Sequence, residues 1–411
     1  MLSFENIILL DKKKLAVGFF YAGMIVAYFG SLNPWFLWPL GSFYIVLACL
    51  FIFMSFMVDA TMRNKIYTNA HFLIPVLVFA VLSYYQAVIN NGTIKGLLAV
   101  VFHVIAFFGL FRVDKKLLGG LIDVLAKIMA VLLAVSIFFF VAYFIGVSLP
   151  STNANYNDYF YTFDNYYFFL VADVPSPIFS MRFQSVFLEP GHLGVAAVLL
   201  LMTQCGKWKK WYNVVLLVAT VMTFSLEAYV LLTMLFFFCL WIQRKHFIKK
   251  LFVVVLFLCS VVCAAFFYND GNNLFHDLIL LRLEIDDGEL AGNNRVSSDF
   301  ESDYSQFLES SDIMFGRDME YDEFGNSGFS VFFYDNGLVG MLLLLVFYVV
   351  SMSRPLDRRV LVTAVTMAFL DFMVRAFPLW YSNFIPVYFM AVAYMPTITK
   401  NEEKHEVCLH P

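Results

Sequence analysis

Five arginines, Arg182, Arg282, Arg295, Arg317 and Arg375, stand in stretches that are otherwise apolar or acidic. Guanidinium suits the recognition of an anion, because its planar fork donates to two oxygens at once and stays protonated. Two of the five lie in polar surroundings of particular interest. The first run is Ser180-Met181-Arg182-Phe183-Gln184-Ser185-Val186-Phe187-Leu188-Glu189-Pro190-Gly191-His192-Leu193-Gly194, followed by small and aliphatic residues to Met202. It sets an arginine, a carboxylate, an imidazole and a proline break at the head of an apolar helix. The second begins at Gly292-Asn293-Asn294-Arg295 and continues through an amphipathic stretch and Ile313-Met314-Phe315-Gly316. It ends with Gly325-Asn326-Ser327-Gly328-Phe329 and Tyr334-Asp335-Asn336-Gly337-Leu338-Val339-Gly340. Glu227, in Ser225-Leu226-Glu227-Ala228, is an acid at the turn between two apolar runs.

The elements that carry these residues are membrane helices. With 61% hydrophobic residues, 14% charged residues and a mean hydropathy of +0.76, the 411-residue chain has more apolar surface than a soluble core can bury. Windows of about twenty residues, enough for a helix to cross roughly 30 Å of hydrocarbon, predict about twelve spans. They fall at 15–30, 35–58, 70–89, 96–111, 123–149, 186–205, 212–224, 227–243, 250–268, 333–352, 360–376 and 378–396. Lysine and arginine accumulate in cytoplasmic loops, and alternation from a cytoplasmic N-terminus puts 20 of the 27 on that side. The opposite side then holds Lys95 and the five arginines, with Lys127 near the cytoplasmic end of the fifth span. The first span lacks a small-residue cleavage site and reads as a retained signal anchor.

The fold expected is therefore all-α, a polytopic transmembrane bundle with both termini cytoplasmic. Residues 1–268 carry spans one to nine, with an outer aromatic loop at 150–185, and 269–330 form one large extracytoplasmic loop. Residues 331–399 carry the last three spans and 400–411 a cytoplasmic tail. The large loop holds fifteen Asp and Glu against three Arg, and its helical pattern lies near Asp299 to Ser310. So acidic an exterior argues against nucleic acid as a partner. The six cysteines fall in spans, at cytoplasmic edges or in the tail, so no disulfide is expected outside. No metal-ligand spacing of Cys or His appears, and the Asp286-Asp287 pair stands in a dense acidic run that reads as a solvated face. Neither a metal nor another cofactor is expected.

Between about residues 180 and 345, the order of these segments resembles the O-antigen polymerase (Wzy-type) and O-antigen ligase superfamily. Members have ten to fourteen spans, an Arg ahead of a polar residue plus Pro at one span head, and a long outer loop. That loop carries Gly-x-Arg, a hydrophobic-Gly turn, and an acid before Gly-hydrophobic-hydrophobic-Gly. The resemblance implies a GT-C-like bundle in a bacterial cytoplasmic membrane and glycosyl transfer on its outer face. The donor would be an undecaprenyl-pyrophosphate-linked glycan and the acceptor a lipid-linked repeat unit, yielding O-antigen, capsule or exopolysaccharide. A flippase and a chain-length regulator are the partner proteins it implies. Ligases of this superfamily carry a His-Asn pair where Asn326 stands here, which favours the polymerase branch.

On this reading Arg182 and Arg295 clamp the departing pyrophosphate, whose developing charge fixed cations stabilise without a metal. Arg282, Arg317 and Arg375 give support, Glu227 and Asn326 contribute to binding, and Glu189 or His192 takes or orients the acceptor proton. Each residue has a structural alternative. Arg182 would serve as an interfacial anchor, Arg295 as an offset to neighbouring acids, and Glu189 as a carboxylate favoured by a helix N-terminus. His192 would be a packed histidine and Glu227 a cap. Competing functions are a ligase-type transferase, a transporter or flippase for lipid-linked oligosaccharide, and a scaffold without chemistry. A transporter would place charges deep within several spans.

Overall fold

The computed structural model describes residues 4–62, 72–89, 92–156, 161–173, 181–243, 247–286, 289–290, 297–317, 328–352 and 357–395. The first five helices are α1 (Phe4–Gly30), α2 (Tyr44–Met62), α3 (Leu73–Ile89), α4 (Ile94–Arg112) and α5 (Lys115–Phe144). After a small sheet come α6 (Pro190–Thr203), α7 (Trp211–Met222), α8 (Leu226–Gln243) and α9 (Phe247–Phe267). Helix α10 (Ser298–Glu309) lies in the acidic segment, and α11 (Phe329–Ser351), α12 (Arg358–Val374) and α13 (Tyr381–Val392) complete the chain. Among the described residues, six helical stretches are long and apolar enough to cross a membrane. They are Trp35–Ala60, Ile94–Arg112, Lys115–Phe144, Leu226–Gln243, Phe247–Gly271 and Phe329–Ser351. Ile248, Phe252 and Leu256 of α9 are exposed, an outward apolar surface that suits lipid.

Two short helices are enclosed by the bundle. α6 has 14 residues and α13 has 12, about 21 and 18 Å of helix. Both are apolar around their circumference, and α13 is buried at every position, as is α6 from Gly191 to Thr203. Helices of this kind belong to the middle of a bundle, because they have no polar face to turn outward. Lipid supplies no hydrophobic push between helices, so close approach relies on small residues. Gly194 of α6 lies on Ala228 of α8, where an added Cβ would stand 2.6 Å from the alanine methyl. Gly23 of α1 meets the Ala48 carbonyl of α2 in the same way, at 2.8 Å.

Contacts define two ends. At one, Arg359 donates to the Ile242 carbonyl at 3.0 Å, Tyr394 to that of Cys205 at 3.0 Å, and Arg112 lies against Phe56, Phe72 and Phe108. Cys205 and Cys239 form a disulfide here, at the basic end and not among the long loops. The other end gathers the segment after α1, the sheet, the turn between α7 and α8, and the approach to α11.

The aromatic segment departs from the all-α expectation. Three antiparallel strands, β1 (Thr152–Tyr156), β2 (Tyr161–Asn165) and β3 (Leu170–Ala172), form a sheet in the order β1-β2-β3. Aromatic residues favour a pleated, half-buried surface, and Tyr156 and Phe163 pack their rings 5.2 and 5.7 Å from that of Trp38. Trp38 belongs to a 3-10 stretch, Trp35–Phe43, that runs directly into α2, so the expected span at 35–58 lies within the candidate span Trp35–Ala60 and opens on 3-10 turns. Two backbone bonds tie this surface to the first polar run: Trp35 N–H donates to the Val186 carbonyl at 2.9 Å, and Leu170 N–H to that of Ser185 at 2.8 Å.

Helix α11 breaks at Gly337 (φ 59°, ψ −168°). Carbonyls freed at such a break need partners, and inside an apolar bundle they must come from protein. Arg317 N–H donates to the Tyr334 carbonyl at 2.8 Å, and the Tyr85 hydroxyl lies 3.0 Å from the Asn336 carbonyl and 2.7 Å from that of Phe315. The two chain segments touch backbone to backbone. A Cβ at Gly337 would stand 2.5 Å from the Gly316 nitrogen, and one at Gly316 would stand 2.3 Å from the Asp335 carbonyl oxygen. Helix α10 rests on the outer half of α11 through Phe300, Phe307, Val331 and Tyr334. Gly337→Ala is expected to lower stability by about 1–3 kcal/mol, the usual cost of forcing such backbone, read as a lower melting midpoint in detergent. Gly18→Ala, at a position with open space around it, should leave the midpoint unchanged.

Candidate functional site

Glu189 ends the first polar run in extended conformation (φ −137°, ψ 146°), and Pro190 starts α6 immediately after it. That backbone is the geometry of a helix N-cap, yet the Glu189 side chain makes no capping hydrogen bond. It turns instead to Arg375, whose Nη1 donates to Glu189 Oε2 at 3.2 Å. The Nε of Arg375 donates to Glu227 Oε2 at 2.8 Å. The third nitrogen, Nη2, lies over Gly191, where a Cβ would stand only 1.9 Å away. A guanidinium is thus seated on the first turn of α6 between the carboxylate of that helix's N-cap residue and the carboxylate of Glu227 at the start of α8.

Arg375 follows the last residue of α12, where a cation is favoured by the helix dipole, and its own N–H caps the Asp371 carbonyl at 2.8 Å. Its side chain is 4% exposed and that of Glu227 is 3%, whereas Glu189 retains 26%. The three groups therefore differ in what they can do. Glu227 is the buried counter-ion that makes a cation tolerable there, and Glu189 is the carboxylate that an incoming molecule can reach.

His192 stands one turn along α6 from Glu189, with Nε2 3.7 Å from Glu189 Oε2. Its ring sits edge-on to Trp380 at 4.9 Å and lies 6.1 Å from Phe377, and those two aromatics stack on each other at 4.2 Å. Phe377 and Trp380 are half-buried, so a flat aromatic wall borders the partly open carboxylate. Such a pairing of aromatic faces with a few polar groups is common in small-molecule sites.

Arg182 lies on the neighbouring turn. Its Nε donates to the Thr223 carbonyl at 3.2 Å, and Phe183 N–H donates to that of Met222 at 3.1 Å. The arginine is half-buried over the α7–α8 connection, and its acceptor Thr223 stands four residues before Glu227 in the chain. The first polar run, Glu227 and Arg375 therefore meet at the long-loop end of α6, α8 and α12. Gln184 and Ser185 in the same run are buried, at 3% and 0% exposure.

The other expected site residues are elsewhere or outside the described residues. Arg317 is engaged within the acidic segment, with Asp312 Oδ2 at 2.8 Å and Asp303 Oδ1 at 3.3 Å, and the Tyr334 hydroxyl also bonds to Asp303. It ties α10 to α11. Arg282 is half-buried near the start of that segment, and burial pushes its pKa below the ordinary arginine value. Arg295 and Asn326 fall outside the described residues. No group of three or more potential metal ligands converges among the described residues.

Residue-by-residue reading of the sequence missed Asp371, Asn383, Gly191 and the Phe377–Trp380 pair. Asp371 left a signal: it is an acid inside an apolar run, four residues before Arg375 and so on one face of α12 with it.

No family model matches the chain, and no curated protein or solved structure is significantly similar to it. Two tests follow from the geometry. Arg375→Met leaves Glu227 as a buried, uncompensated charge and should cost about 3–5 kcal/mol. Adding Glu227→Gln should recover a substantial part of the loss, which a double-mutant cycle on detergent melting would measure. Gly191→Ala drives a methyl into the guanidinium and should lower the midpoint in the same assay, whereas Gly96→Ala, with only the Thr93 side chain 3.6 Å from an added Cβ, should not.

Proposed function

We propose that this chain is a polysaccharide polymerase of the outer face of a bacterial cytoplasmic membrane. On this reading every helix except α10 belongs to one of twelve passes across the bilayer, with the basic end in the cytoplasm and the short α6 and α13 completed by the non-helical chain ahead of them. The observation that carries the proposal is the junction of Glu189, His192 and Arg375 with the Arg182 segment at the long-loop end. A mouth that sets Arg182 beside one reachable carboxylate supports transfer from a pyrophosphate-linked donor to a hydroxyl acceptor.

In the mechanism we infer, Glu189 accepts or orients the acceptor hydroxyl proton, within reach of His192. The acceptor oxygen forms its bond to the anomeric carbon as the bond to the polyprenyl pyrophosphate breaks. Arg182 receives the charge that develops on the leaving diphosphate. Arg375, already bonded to two carboxylates, orients Glu189 and is a poor candidate for a diphosphate clamp. Its role moves accordingly from anion binding to positioning. The acidic segment lies beside this mouth, since Ala376 packs against the aromatic cluster under α10.

A second reading, a carrier of lipid-linked oligosaccharide, draws on the burial of Asp59 in α2 and Asp371 in α12, carboxyl groups within apolar helices. The two readings part on what accumulates. Arg182→Ala and Glu189→Gln should each abolish the polymer ladder while single lipid-linked repeat units build up on the outer face. Units retained on the cytoplasmic face would instead indicate a carrier, and an unchanged ladder in both variants would remove these residues from the site.

A further inference from the structure

Helix α9 is held to the bundle along one side. Its half-buried residues Phe247, Leu251, Val254 and Leu258 recur at helical spacing, and the Phe247 ring stands 5.7 Å from that of Phe237 on α8. Among the described side chains of α9 only Ala265 is buried. The two helices do not close on each other. Between them lies a cavity of about 370 Å³, lined by Leu240 of α8 and by Lys249, Lys250, Val253 and Val254 of α9. Within hydrocarbon such a gap does not stay empty, because its walls would forgo the dispersion contacts that a filled space supplies. An apolar wall also offers water no partners.

The cavity lies at the basic end of the molecule. Leu240 follows Cys239 of the disulfide there, and beside it stands half-buried Trp241, a residue type that settles at headgroup level. Lys249 and Lys250 precede Val253 and Val254 by one turn, so lysines and valines share a face. Helical side chains lean toward the N-terminus, and α9 begins at the basic end. Both lysines are exposed and line the cavity with their carbon stems, which lets the ammonium groups rise to the interface. Their charge has no local acid to offset it. The lysines of α1 and α5 follow Asp11 and Asp114, whereas residues 228–269 include no Asp or Glu.

We propose that the α8–α9 cleft is a binding site for an anionic phospholipid of the membrane. One acyl chain lies against Leu240, Val253 and Val254, and the headgroup phosphate meets Lys249 and Lys250. The proposal goes beyond the polymerase reading and stands without it, needing only that α9 lies in a bilayer, for which its helical stretch is long and apolar enough. Free phosphate would leave the apolar part of the cleft unfilled. A second copy of the chain, sharing its orientation in the membrane, would set lysines against lysines. Each lysine near an anionic headgroup strengthens binding about fivefold, so the pair contributes about thirtyfold.

The test uses the full chain in detergent micelles, with phosphatidylglycerol and phosphatidylcholine of identical acyl chains as probes and native mass spectrometry to count bound lipid. Wild type should bind its first phosphatidylglycerol about thirtyfold more tightly than phosphatidylcholine, and Lys249→Gln/Lys250→Gln should abolish that preference. Val253→Trp fills the cleft but keeps both lysines, and should lose the tight site for either lipid. Lys115→Gln/Lys116→Gln removes another exposed pair at the same end and should bind as wild type does. Melting midpoints without added lipid, alike in all four proteins, verify that each is folded. An unchanged preference in Lys249→Gln/Lys250→Gln overturns the proposal, and an equal loss in both lysine-pair variants overturns it in favour of general surface charge. Displacement of the lipid by excess inorganic phosphate, with normal binding in Val253→Trp, reduces the site to an anion contact and likewise overturns it. So does a dimer that persists without lipid and disappears in Val253→Trp, which would assign the cleft to a second copy.

Discussion

A single guanidinium buried at the end of an apolar helix constrains everything around it. Arg375 cannot be left unpaired where it stands, because an isolated charge in low dielectric is not tolerated. Glu227 therefore has to lie beneath it, which fixes how the start of α8 meets the end of α12. The Nη2 edge also has to rest somewhere, and only a residue without a Cβ leaves room, which fixes Gly191 and with it the angle at which α6 enters the bundle. Glu189 comes last in this order. It is the partner with solvent exposure, so the network that the fold requires ends in a group that solvent reaches.

The short helices explain how such a junction forms. A helix that crosses the full hydrocarbon thickness carries its ends out to the polar interface. Helices α6 and α13 are too short for that and are surrounded by their neighbours, so their N-termini lie within the bundle. Polar chain is drawn in after them: the 181–189 run before α6 and the 375–380 turn before α13. Both segments find protein partners, Thr223 and Met222 for the first and the Tyr348 hydroxyl, bonded to the Pro378 carbonyl, for the second. A mouth lined by irregular backbone and a few charges follows from helix length, before any requirement of chemistry.

Much of this was legible in the sequence, and what was not has a physical cause. Apolar windows anticipated the order of the long helices, because that pattern acts over tens of residues. Glu189, His192 and Glu227 stood out as polar residues at the heads of apolar runs, and the structure brings them together. Arg375 was singled out as a cation for an anionic ligand, but the sequence cannot show that two carboxylates from positions 186 and 148 residues away already occupy it. Asp371 was passed over because attention went to loops and span heads, while the i, i+4 pair with Arg375 lay inside a span. The sheet at 152–172 was hidden for a different reason: tyrosine and phenylalanine serve equally at a lipid interface and in a strand. Contact with Trp38, over a hundred residues away, decides between them.

The acidic segment is held by a comparable logic, with backbone in place of charge. Breaking α11 at Gly337 exposes carbonyls that a continuous helix would have satisfied; the Arg317 N–H and the Tyr85 hydroxyl supply donors, and the chain at 314–317 the close contacts. Because Gly316 and Gly337 meet without side chains between them, the two segments cannot slide past each other without losing those bonds. Arg317 and Asp303 then bind α10 onto the same half-helix. Gly328, at the outer start of that half-helix, approaches the carbonyls at the end of α12, where a Cβ would stand 3.4 Å from Met373 O. The position of the acidic segment and the position of Arg375 thus share one neighbour, the C-terminal turn of α12. Any displacement of that turn has to be felt both in the covering segment and in the carboxylate network, which couples the outer surface of the molecule to its buried charges through packing alone.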